Sequence, residues 1–172
     1  MTSTQLLNSL KMFRSKDILV TGGAGYIGSH LVEKLVLASD NVVCLDNYLS
    51  GSKCNHISGA KYIEGDVANI SNLLSGQKFD YIFHFGEYSR VEQSLDDPHV
   101  ALANIYKSFP ALLEFWSDSG AKLIYSGSST KFADDGSGKH LSPYTAAKSM
   151  NTELLVDFAK WYDLTFSIIY FY

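Results

Sequence analysis

Six short apolar runs constrain this chain more than any other feature. They are "DILV" from Asp17, "NVVCLD" from Asn41, "AKYIEGD" from Ala60, "YIFHFG" from Tyr81, "KLIYSG" from Lys122 and "TFSIIYFY" from Thr165. None alternates cleanly between apolar and polar residues. A strand written that way is covered on both faces. Helical spacing fills the gaps: Ile27, Leu31, Leu35 and Val36 within 26–38, a short turn near Ile70–Leu74, a helix from about Val100 to Ser119 and another from Pro143 to about Tyr162. Strands that alternate with helices require crossover connections, so the predicted architecture is a doubly wound α/β fold on a parallel sheet. Residues 1–16 read as an N-terminal extension and 17–172 as one domain. Pro110 falls inside the third helical stretch, where it removes a hydrogen bond and kinks the helix.

Composition narrows the partners. The chain carries 14 Lys and Arg against 18 Asp and Glu, a net charge of -4, and no basic run. That speaks against nucleic acid and against anionic membranes. No stretch has the apolar length of a membrane span, and the first sixteen residues lack the layout of a signal peptide. The two cysteines, Cys44 and Cys54, lack metal-ligand spacing, so no metal is expected, and a reducing cytoplasm is the expected setting.

The turn after the first strand points to a ligand. In "ILVTGGAGYIGSH", Gly22, Gly25 and Gly28 follow a strand and open a helix. Glycines there let backbone N–H groups approach a pyrophosphate, and the helix N-terminus adds partial positive charge. Glycines also simply mark tight strand-to-helix turns, and the next strand decides between the two. It ends in Asp46, whose carboxylate suits both ribose hydroxyls of adenosine and repels a 2′-phosphate, which favours NAD over NADP. The expected fold is therefore a Rossmann sheet in order 3-2-1-4-5-6. Asp66 and Val67 after the third strand, and Phe85, Gly86 and Ser89 after the fourth, stand at strand ends that line the same crevice.

A second constellation carries chemistry. "SPYTAAKSM" sets Tyr144 and Lys148 four residues apart, on one face at the start of a helix. A neighbouring ammonium and a positive nicotinamide both favour the phenolate, so Tyr144 is a candidate base, and Lys148 a candidate for holding the nicotinamide ribose. The strand end "YSGSST" supplies hydroxyls to the same place, with Ser126, Ser128, Ser129 and Thr130 in competition.

Taken together, Gly22 to Gly28, Asp46-Asn47, Asp66-Val67, "HFGEYSRVEQS" and Tyr144/Lys148 resemble the extended short-chain dehydrogenase/reductases. The resemblance runs from Asp17 to Tyr172 and is nearest to the NAD-dependent nucleotide-sugar epimerase/dehydratase family of the UDP-glucose 4-epimerase kind. It implies Ser128 as the catalytic hydroxyl, counted from Phe132, and Asn104 as a supporting residue that also belongs to the cofactor set. It implies cofactor contacts at Tyr26 and Ile27, at Asp46, Asn47, Tyr48, Leu49, Ser50 and Gly51, at Asp66 and Val67, and at Phe85, Gly86, Glu87, Tyr88 and Ser89. Ser89, Ser128 and Tyr144 are the implied substrate contacts. The implied reaction removes hydride from a nucleotide-sugar and returns it to the other face of a keto-sugar, with Tyr144 as base.

This sequence departs from the family in places. "KFADDG" replaces the usual Tyr-Gly closure. Glu87 and Tyr88 stand where small residues are common and are expected to narrow the pocket near the nicotinamide. Ser129 and Thr130 replace the Asp-Glu pair of the dehydratases, which favours epimerase. The chain stops at Tyr172, before the segments with which the family grips its substrate. It therefore reads as a truncated product of a longer frame, with an NAD-binding module lacking turnover as the alternative to an enzyme. A further alternative uses Leu112, Trp116, Leu154, Phe158 and Trp161 as a partner surface, whereas helical spacing assigns them to the core. The resemblance also implies a homodimer through the helices of Asn104 and Tyr144.

Overall fold

A computed structural model describes residues 15–38, 41–129 and 141–171. Phe132 and Thr130 lie outside these residues, as do the first fourteen residues, and the side chain of Asn104 lies outside the description too. Six strands form one sheet: β1 (Asp17–Thr21), β2 (Asn41–Asp46), β3 (Ala60–Glu64), β4 (Tyr81–His84), β5 (Lys122–Ser128) and β6 (Phe166–Phe171). Their order is β3-β2-β1-β4-β5-β6, and each neighbouring pair is parallel. The helices are α1 (Tyr26–Leu35), α2 (Ile70–Leu73), α3 (Gln93–Asp96), α4 (Pro98–Ser119) and α5 (Pro143–Tyr162). Single 3-10 turns follow β2 at Lys53–Asn55 and β3 at Val67–Asn69. The Rossmann order and all six strands are as expected. The helix α3 was not foreseen, because its four residues are too few to show a period.

Strand geometry explains the unalternated runs. Successive side chains point to opposite faces, and both faces are covered. Ile18 and Val20 of β1 join Val42, Cys44, Phe83 and Ile124 under α1, against Val32 and Leu35. Leu19 joins Val43, Leu45, Ile82, Leu123 and Tyr125 on the other face, under Phe109, Leu112 and Trp116 of α4 and Leu155 of α5. The edges are less protected: β3 has no fully buried residue, and neither does β6.

The partner-surface residues divide. Leu112 and Trp116 are buried and Phe158 packs against them, while Leu154 is 39% exposed and Trp161 67%. Helix α4 continues past Pro110, which lies within it.

Trp116 closes the deep end of the larger core. Its ring meets Phe158 and Phe166, and its indole Nε1–H donates to the Ala121 carbonyl at 2.8 Å. Gly120, at φ 66°, ends α4 and turns the chain into β5. Helix α5 starts on a capping box: the Ser142 hydroxyl accepts from the Thr145 N–H, and the Thr145 hydroxyl accepts from the Ser142 N–H. Pro143 occupies the first helical turn. The box fixes where α5 begins, and so where Tyr144 and Lys148 stand relative to β5. Trp116→Ala is expected to destabilise the fold by about 3–5 kcal/mol, from lost burial and the cavity left behind. Urea unfolding followed by far-UV circular dichroism measures it.

Candidate active site

Strand order reverses at β1, whose chain goes to β2 on one side while β4 pairs on the other. A crevice opens beyond the carboxyl ends of such strands. Gly22 leaves β1 at φ +71°, and a Cβ there would stand 2.7 Å from the Gly86 nitrogen and from the Phe85 carbonyl carbon. Only glycine allows both the dihedral and the approach. Gly25 is the N-cap residue of α1 and has no side chain to cap it, so the first N–H groups of the helix face the crevice uncovered. A Cβ on Gly28 would lie 2.0 Å from the Gly22 carbonyl oxygen, so this position also tolerates only glycine.

Asp46 ends β2 and is 7% exposed. Its carboxylate accepts from the Ala24 N–H and from the Tyr48 N–H, each at 2.8 Å. The acidic residue read as a ribose ligand is thus also the brace of the glycine turn. A carboxylate has about four acceptor positions, so the brace leaves capacity for a ligand. Further along, Asp66 accepts from the Ala68 N–H, the Asn47 amide and the Ser108 hydroxyl. Burial pushes the Asp66 carboxyl up, but these donors outweigh it and hold the group below its ordinary value.

The crevice collects nearly every residue named from sequence. One half is bounded by Gly22, Gly25, Asp46, Asn47, Leu49, Ser50, Asp66 and Val67. The other half is bounded by Tyr26, Ile27, Gly28, Ser128, Tyr144 and Lys148. Phe85, Glu87, Tyr88 and Ser89 border both halves, and Gly86 borders the first. Tyr48 and Gly51 stand outside it. Tyr48 braces Asp46, and a Cβ on Gly51 would lie 2.9 Å from the Asp46 Oδ1. Asn104 belongs to α4. Arg90 and Gln93 also line the crevice and were not singled out. Both lie within the run "HFGEYSRVEQS", Gln93 as the first residue of α3, and nothing in that run tells how far it follows the crevice wall. Ser126 and Ser129, two of the competing hydroxyls, line it beside Ser128.

Glu87 differs from expectation. Its side chain is only 3% exposed and turns inward from the crevice wall, rather than projecting across the pocket. There it forms an ion pair with Lys148, and it accepts from the Tyr125 hydroxyl and the Asn151 amide, both at 3.3 Å. His84 Nδ1 is 2.7 Å from the Thr21 hydroxyl, while its Nε2 has no hydrogen-bond partner among the described residues and stands 3.6 Å from the Glu87 carboxylate. Lys148 also donates to the Ser126 carbonyl at 2.6 Å and to the Ser126 hydroxyl at 3.4 Å. Burial pushes the Glu87 carboxyl up, yet the Lys148 ammonium and, after it, His84 bring it down from 4.5 to about 2. The same burial, with Glu87 nearby, pushes the Tyr125 hydroxyl well up.

A family model described as NAD dependent epimerase/dehydratase matches residues 18–171. A UDP-glucose 4-epimerase of Lactobacillus helveticus is 30% identical over 165 residues, covering 89% of this chain and 49% of that protein. One from Lacticaseibacillus casei is 35% identical over 121 residues, covering 68% of this chain and 37% of that protein. The solved structure of the Bordetella bronchiseptica enzyme WbmF, in complex with NAD+ and UDP, aligns with a TM-score of 0.82 at 27% identity, over 94% of this chain and 51% of that one. The chain thus spans about half the length, or less, of the relatives it matches.

Glu87 generates a pH prediction. Its folded pKa lies below its ordinary one, so its stabilising contribution is complete above about 4.5 and fades as pH falls towards about 2. Urea midpoints measured across that window should fall with acid in the native protein. Glu87→Gln should be less stable near neutrality and show a flatter acid limb.

Proposed function

The chain belongs to the NAD-dependent epimerase/dehydratase family, and from that premise we propose that it binds NAD in the crevice and positions a nucleotide-sugar for epimerisation of the UDP-glucose 4-epimerase type. One observation carries the reading: the glycine turn of β1 and the pair Tyr144/Lys148 of α5 border one continuous crevice, with the hydroxyls of Ser126, Ser128 and Ser129 between them.

The residues present fit this cofactor. The uncapped start of α1 and the side-chain-free approach at Gly22 suit a pyrophosphate, and Asp46 retains acceptor capacity for ribose hydroxyls. When bound, NAD supplies hydride acceptance and return. The protein's part is local. Tyr144 takes the proton from a sugar hydroxyl and later gives it back, acting as base and then acid. Ser128, at the end of β5, orients that hydroxyl. Lys148 serves Tyr144 from one helical turn away and offers its ammonium to the nicotinamide ribose. Asn104 supports the site from α4, and Ser89 contacts the substrate from the loop after β4.

Because the chain spans about half the length of its relatives, a second reading stands beside this one: the chain holds NAD without turnover. Two experiments separate the readings. Isothermal titration with NAD is expected to give micromolar or tighter binding, and Asp46→Asn should weaken it by roughly tenfold through a lost charge-assisted hydrogen bond; no binding defeats both readings. Interconversion of UDP-glucose and UDP-galactose, followed by coupled assay, tests turnover. If turnover occurs, Tyr144→Phe should lower kcat by about 10²–10⁴-fold. Binding without turnover leaves the module.

The assembly we propose is a homodimer through α4 and α5. The Tyr106 hydroxyl of α4 donates to the Met150 sulfur of α5 at 3.2 Å, and the outer surface of these helices exposes Tyr106, Met150, Leu154 and Trp161. Light scattering after size exclusion should give twice the chain mass; a monomer at micromolar concentration overturns it.

A further inference from the structure

The interior behind the crevice wall holds one charge that the proposed reaction does not require, the Glu87 carboxylate. Glu87 is 3% exposed and Lys148 5% at their side chains, and their ion pair ties the loop after β4 to α5. A buried carboxylate is costly unless it is paired and hydrogen-bonded. Glu87 meets both conditions, through Lys148, Tyr125 and Asn151. The groups facing the pair are His84 from the end of β4, Tyr125 from β5 and Asn151 from α5, while Tyr144 lines the crevice in front of it.

The ammonium has three N–H donors. One points to the Glu87 carboxylate, one to the Ser126 carbonyl at 2.6 Å and one towards the Ser126 hydroxyl at 3.4 Å. The protein thus offers as many acceptors as the ammonium has donors. The ring of Tyr125 lies under the same ammonium, 4.8 Å from ring centre to nitrogen. The lysine that borders the crevice is therefore held against β5, with its charge balanced from behind.

We propose that Glu87 is a positioning residue, a latch that holds the Lys148 ammonium against β5 and that a dinucleotide must draw on when its second ribose takes a donor from Lys148. This rests on the reading of the crevice as an NAD site. Replacing Glu87 by a neutral residue leaves the ammonium short of an acceptor. The ribose hydroxyls next to the nicotinamide then supply one. Binding of the whole dinucleotide gains, whereas binding of its adenosine diphosphate half does not, because that half ends before Lys148. A residue that merely supports the fold would act in the opposite sense and on both ligands.

The test compares native protein with Glu87→Gln and with Glu87→Ala, the second leaving room for water should the first fail to fold. Calorimetric titration with NAD and, separately, with ADP gives the readout. The expected result is NAD affinity raised by about tenfold with ADP affinity unchanged, the size of response that follows from relieving an unpaired buried charge. NAD affinity unchanged, or lowered together with that of ADP, overturns the latch. A cofactor-free measurement keeps this distinct from failure of the NAD reading itself. In the native protein, the Lys148 ammonium should give a solvent-protected signal in 1H–15N spectra, assigned with Lys148→Met and lost in Glu87→Ala. Absence of that protected signal overturns the latch even where NAD binds. Its presence in a protein that binds no NAD overturns the cofactor reading and retains the pairing.

Discussion

The site depends on a close meeting of two backbones. Gly22 at the end of β1 and Gly86 after β4 approach so nearly that a Cβ on either would stand within 3 Å of the other's main chain. With no side chain between them, the turn into α1 lies flat on the neighbouring strand end, and the crevice floor is made of peptide groups. Asp46 then secures the turn from the other side, by accepting the Ala24 N–H. Two strands flanking β1 thus hold the start of α1, and the parallel order β3-β2-β1-β4-β5-β6 is what brings both flanks to it. The N–H groups of this floor are spent on the protein itself, and the donors left beside it are those of the uncapped first turn of α1, a setting that suits a phosphate group.

On the far side of the crevice the governing term is charge balance rather than sterics. Lys148 is nearly buried, and an ammonium in that setting requires a counter-charge. Glu87 provides it from a loop sixty-one residues earlier in sequence. The capping box at Ser142 and Thr145 sets the start of α5, so one local device determines where Tyr144 and Lys148 emerge. The ion pair then ties that helix to the loop after β4.

Much of this was legible from residue order. Runs such as "NVVCLD" announced strands covered on both faces, and both faces are covered. The glycine turn and Asp46 were recognisable because their roles are local, within one βαβ unit of the chain. Leu112 and Trp116 read correctly as core, on a face that the fold sets against the sheet. Leu154 and Trp161 share that period but are exposed, because the period says which residues share a face and not what lies opposite it. Arg90 and Gln93 escaped notice for a similar reason: nothing in an isolated loop tells how far it follows a crevice wall.

By itself, the sequence determined the fold class, the glycine turn after β1 and the placement of Tyr144 and Lys148 one turn apart on α5, because each is written in short-range spacing. Tertiary structure alone decided what Glu87 does. From sequence it was a bulky acid at the mouth of a pocket. In the fold its carboxylate turns inward to Lys148, Tyr125 and Asn151. The physical reason is that a side chain's partner is chosen by burial and charge across the whole molecule. Spacing along the chain carries no information about a counter-charge sixty-one residues away.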